Sequence, residues 1–192
     1  MTSPFDVNVY GKVFGDLLSE QRMNPLDCGT PNEGVGEILK GLSSNTAFGS
    51  ETVMDDDMAK ACISAVWLYH NFLDESHTLS QQINTSTGSF WHGIMHRREP
   101  DFSNSKYWFQ KVGEHETFPE ISEAAAELAA GAEGAEGAGG SLANATWDPF
   151  GFVDLCEAGL KGDSSLDSLC RQVQQREWEI LFHFSFEKAI GR

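Results

Sequence analysis

The sequence predicts an all-α protein, an irregular helical bundle of about five to seven helices in a single domain spanning 1–192. Three observations lead there. Apolar residues recur at three- and four-residue spacing along several stretches. Those stretches tend to open on Asn, Asp, Ser or Thr and to close on Gly or Pro, the residues that start and stop helices. No segment alternates apolar and polar residues with the period of two that a half-buried strand needs.

The elements follow in order. From Val9 to Met23, one side of a helix carries Val9, Val13, Phe14, Leu17 and Leu18, and Asn24-Pro25 stops it. Cys28-Gly29-Thr30-Pro31-Asn32 reads as a turn, with Asn32 capping a short helix through Val35, Ile38 and Leu39 that Gly41 ends. Residues 42–52, rich in Ser, Asn, Thr and Gly, read as loop. Asp55-Asp56-Asp57 precedes the longest early helix, Asp57 to Gln82, with three acids at the positive end of the helix dipole. The glycine and glutamate spacing of a calcium-binding EF-hand is missing there.

After a polar turn at 84–88, Thr87 or Ser89 caps a helix from Phe90 to Glu99, which Pro100 ends. Asp101 or Ser103 caps the next, through Tyr107, Trp108, Phe109 and Val112, with Gly113 as its stop. Pro119 and Ser122 open an Ala-rich helix from Ile121 to Ala130. Residues 131–141 are low in complexity, rich in Gly, Ala and Glu, and read as a flexible surface loop. Asp148-Pro149 starts a helix to about Leu160, which Gly162-Asp163 breaks. Ser164 to Ile190 is a long final helix.

Composition narrows the function. At 192 residues, 40% hydrophobic and 22% charged, the chain can bury a sizeable core and is not expected to be disordered. A formal net charge of −16 repels polyphosphates and anionic membranes, so neither nucleic acid nor a membrane surface is an expected partner. No apolar run reaches the roughly 18 residues of a membrane-spanning helix. The N-terminus lacks the basic and apolar regions of a signal peptide, which predicts a cytoplasmic location. Cys28, Cys62, Cys156 and Cys170 are far apart, so reduced thiols are expected and a cysteine zinc site is not. A homo-oligomer is compatible with all of this.

The densest chemistry lies in Phe90-Trp91-His92-Gly93-Ile94-Met95-His96-Arg97-Arg98-Glu99-Pro100. On this helix His92, His96 and Glu99 are spaced four and three and share one stripe. On a continuous 57–82 helix, His70, Asp74, His77 and Gln81 share another, bordering the apolar side. The connection between the two helices is short, so they are expected to pack together. Facing stripes would gather four histidines, Asp74 and Glu99, with Arg97 or Arg98 at the edge.

Three readings of that cluster stand side by side. In the first, His92 and His96, joined by His70, ligate a divalent metal (Zn, Ni or Fe), and an open position holds an activated water. The motif is weaker than HExxH, because no glutamate follows His92 directly. In the second, the histidines only bond to carboxylates and carbonyls and fix helix register. In the third, His92 and His96 with Asp74 form a metal-free acid/base set and Tyr107 donates to a developing oxyanion.

Ligand contacts are expected from Arg97, Arg98, His70, His77, Trp91 and Glu99, the arginines forking onto a carboxylate or phosphate. The plainer alternatives are also defined. Arg97 and Arg98 sit in a last helical turn, which favours cations regardless of any ligand. Trp108 and Phe109 suit a core. His183 suits a satisfied boundary position, and His115 a solvated loop.

The segment Gly88 to Gly113 has the compactness of a family signature. The length, the helices and the spaced histidines resemble metal-binding four-helix bundles of the DinB type. The resemblance covers no continuous motif, so it assigns no residue a role, and a shared fold does not establish an activity. The expected function is an intracellular protein that binds and turns over a small anionic molecule, as a metal-dependent hydrolase or lyase. The alternative is a non-catalytic protein–protein interaction module in which the His/Asp/Glu network is structural.

Overall fold

The computed structural model describes residues 5–132, 142 and 146–192. Among them are nine α-helices and no strand. They are α1 (Gly11–Leu18), α2 (Gly36–Lys40), α3 (Asp56–Tyr69), α4 (Leu73–Ser80) and α5 (Ser86–Arg98), followed by α6 (Phe102–Val112), α7 (Phe118–Gly131), α8 (Pro149–Leu160) and α9 (Ser164–Ala189). The count exceeds five to seven chiefly because the expected 57–82 helix is two helices. The Gly/Ala/Glu-rich segment begins with Gly131, the last residue of α7, and from 133 to 141 it lies outside the described residues.

Capping places most helix starts. Asp55 accepts from the Met58 amide, Asp101 from Asn104, and Asp148 from Phe150 and Gly151, so three acids meet orphaned amides as the sequence leads one to expect. The start of α5 differs: Thr85, not Thr87 or Ser89, accepts from the Gly88 amide, and the helix begins one turn early. The first helix is also shorter than Val9–Met23. A 3-10 turn, Val7–Tyr10, precedes it, and it ends at Leu18.

The break between α3 and α4 shapes everything around it. Asn71 has a left-handed backbone, φ 64°, which Asn tolerates better than most residues. Its amide donates to the Thr30 carbonyl at 3.0 Å and its oxygen accepts from Arg98 at 2.6 Å. These bonds tie the junction to the 28–32 turn and to α5. The chain then doubles back, and the Ser64 hydroxyl of α3 meets the Ser76 carbonyl of α4 at 2.9 Å.

The core is one continuous apolar cluster threaded by α9. Trp178 stacks on Phe182 with centroids 5.0 Å apart, and its indole donates to the Ala65 carbonyl of α3. Trp91 of α5 donates to Ser185 of α9 at 3.1 Å. Helices α5 and α6 approach closely because Gly93 has no side chain; a Cβ there would lie 3.2 Å from the Phe109 ring. An ion pair, Arg97–Glu177, joins α5 to α9 with both side chains fully buried, and the guanidinium lies over the Phe152 ring of α8. No helix among the described residues is long and apolar enough to cross a membrane.

Candidate metal centre

Three histidines converge where α4 packs on α5. His77 comes from α4, and His92 and His96, one turn apart, from α5. One ligand atom from each lies within 4.8 Å of the others. His92 and His96 are buried and His77 is half-buried. The nitrogens His92 Nε2 and His96 Nε2 are 2.9 Å apart. An ion about 2.05 Å from each, a usual metal–imidazole distance, would see them at about 90°. A set of three imidazole nitrogen donors fits a first-row divalent metal.

The surroundings orient the rings. Glu99 Oε2 lies 3.0 Å from His96 Nδ1, and Ser80 Oγ lies 3.3 Å from His92 Nδ1. The Ser80 hydroxyl can in turn donate to the His77 carbonyl, also at 3.3 Å. When each Nδ1 donates to its oxygen, each Nε2 presents a lone pair toward the other. Trp108 stacks on His92 at 3.9 Å and walls that side, while the Asn104 amide reaches His96 Nε2 at 3.1 Å.

Burial sets the charge state. His92 is pushed down to about 3, first by desolvation, then by His96, His77 and Lys111. Desolvation also lowers His96, although Glu99 opposes it. Both rings are neutral near pH 7, the form that binds metals.

The expected site residues divide. Glu99 stands on His96, as the stripe required. His77, expected to contact the ligand and to complete or orient the His92/His96 set, lies with them in the cluster that could hold a metal. His70 does not. The break at Asn71 takes it off the stripe, and its ring is held by the Leu17 carbonyl at 3.0 Å and Asn32 at 3.2 Å. Asp74 is exposed and lines a cleft rather than bonding a histidine. Tyr107 is half-exposed on the outer face of α6, with Lys111 over its ring.

The arginines are both committed elsewhere. Arg97 is consumed by Glu177. Arg98 donates to the Asp27 carbonyl and to Asn71, with no free fork for an anion. Trp91 is fully buried core. His115 is not solvated; it is buried between Thr87 and Thr117. His183 is exposed at the boundary, bonded to the Tyr10 hydroxyl. Ser80 and Asn104 escaped the sequence reading, and Trp108, expected in the core, is half-buried against His92. The i, i+4 spacing of Asn104 and Trp108 placed them on one face of α6, but nothing local said that this face meets His92 and His96.

The chain matches no model of a known protein family, no curated protein and no solved structure.

Proposed function

We propose that the protein binds one divalent transition-metal ion (Zn, Ni or Fe) through His77, His92 and His96. On this reading it turns over a small molecule in the cytoplasm as a metal-dependent hydrolase or lyase. One observation carries the proposal: two buried imidazoles aim Nε2 at Nε2 across 2.9 Å while Ser80 and Glu99 engage their Nδ1 atoms. In the tautomer that puts the proton of each ring on Nδ1, two Nε2 lone pairs face each other at that distance and repel, and an electrophile between them would remove the repulsion. Three protein ligands would leave coordination positions open, where a bound ion would supply Lewis-acid activation of water. The chain's own residues supply the rest. Glu99 and Ser80 hold the rings, and Trp108 excludes solvent from one side.

The rival electrophile is a proton. If Ser80 donates to His92 Nδ1, then His92 Nε2–H can donate to His96, and the cluster becomes a structural network of a non-catalytic interaction module. The experiment separates the two. Protein purified without a nickel column is analysed for metal, then titrated calorimetrically with Zn, Ni and Fe(II), alongside His92→Ala and His96→Ala. Stoichiometric binding by the parent, lost in both folded variants, supports the centre. A folded parent that takes up none of the three ions refutes it and leaves the shared proton.

A further inference from the structure

Two of the four thiols, separate in the sequence, are neighbours in the fold. Cys156 of α8 and Cys170 of α9 are both fully buried. The two helices pack against each other across a short turn at Gly162, whose φ of 116° favours glycine. They approach very closely at Gly159, where a Cβ would lie 3.1 Å from the Asp167 amide nitrogen and 3.2 Å from its Cα. Three residues back along α8 and three forward along α9, the next facing pair is Cys156 and Cys170. The same step again reaches Val153 and Val173, also buried. The two cysteines therefore hold opposed positions on the seam of a helical hairpin.

Their thiols interact directly. Hydrogen bonding with Cys170 is second only to burial in holding the Cys156 thiol protonated. The Arg97 guanidinium opposes this at Cys156, because a cation favours the thiolate, and it lies close enough to feel Cys170 as well. Cys62 makes the contrast. It is as deeply buried, but no second thiol is among the groups acting on it. A lone buried cysteine is an ordinary core residue. Two in contact can be joined.

We propose that Cys156 and Cys170 are a redox-active dithiol that closes to a disulfide under hydrogen peroxide and clamps α8 to α9. One sulfur attacks the peroxide and the O–O bond breaks. One oxygen stays as a sulfenic acid, and the other leaves with the thiol proton as water. The second sulfur displaces the sulfenic oxygen as another water, and the S–S bond forms. The two thiols lose two hydrogens, and one peroxide becomes two waters. Both sulfurs are buried, so closure is slower than oxidation of the exposed Cys28. Nothing in this chemistry involves the metal centre.

The test uses the full chain and a Cys28→Ser variant, both stripped of metal by chelation and exposed to hydrogen peroxide. Free thiols are then alkylated with N-ethylmaleimide in denaturant, and intact masses and peptide maps are recorded. In Cys28→Ser the product should be two hydrogens lighter and take up two fewer alkyl groups. Its map should contain one peptide pair joining Cys156 to Cys170, released by dithiothreitol. The closed loop, residues 156–170, should raise the melting temperature by roughly 5–10 °C. Cys156→Ala and Cys170→Ala should each lose both the link and the rise. If either folds poorly, the peptide map of Cys28→Ser still decides.

Both thiols fully alkylated after about tenfold longer exposure than exhausts Cys28 in the parent overturns the proposal. So does a link to Cys62 instead, a sulfinic acid at either position without a link, or a linked protein that melts no higher than the reduced one.

Discussion

His115 offers a test whose size follows from its surroundings. The ring is 8% exposed and packed among Phe90, Phe118 and Phe184. Its Nδ1 accepts from the Thr117 amide, which leaves Nε2–H to donate to Thr87 at 3.1 Å. Protonation would put a charge into that apolar shell. Burial therefore lowers its pKa from 6.5 to about 4, and Glu116 offsets only part of this.

Because the folded pKa lies below the unfolded one, His115 costs no stability above pH 6.5. The cost grows as pH falls from 6.5 and is complete once pH passes below about 4. At pH 4 the unfolded state gains about 3 kcal/mol on the folded state from this group alone. A His115→Gln variant lacks that term. Urea unfolding at pH 7, 5 and 4 should show the stability gap between parent and variant closing by about 3 kcal/mol toward acid pH. A gap that stays constant, or an NMR titration placing His115 near 6.5, refutes the argument from burial.

Two further outcomes test the frame that holds the candidate site. Glu177→Gln leaves the Arg97 guanidinium charged and buried, and should cost about 3–5 kcal/mol in chemical denaturation. Arg97→Met combined with Glu177→Leu should recover most of it, and a double variant as unstable as the single one contradicts that account. Gly88→Ala would set a Cβ 2.3 Å from the Ile83 carbonyl oxygen, which must move; a cost of about 2–3 kcal/mol, lowering Tm by roughly 5–10 °C, is expected. An unchanged melting temperature would mean that the 83–85 turn is looser than its contacts imply.

Much of the framework was legible because it is local. Asp101, Asp148 and Gly113 mark helix ends within one turn of themselves, and they mark them where expected. The pairing of His92 with His96, and of His96 with Glu99, needs only the i, i+4 and i, i+3 geometry of one helix. The errors have a common cause in long-range contacts. The 57–82 stripe assumed an unbroken helix, and Asn71 breaks it using Thr30 and Arg98, 41 and 27 residues away. That break removes His70 from the cluster and turns α4 so that His77 enters it.

The sequence by itself determined an all-helical chain, most of its capping residues, and two imidazoles aligned on one face of α5. Only the tertiary structure decided which polar groups were free to act. Arg97 was spent on Glu177, 80 residues distant, and His115 was buried by Phe90 and Phe184. The physical reason is range. Backbone hydrogen bonding and side-chain spacing act over one or two turns, whereas desolvation and charge pairing depend on whatever the folded chain brings alongside.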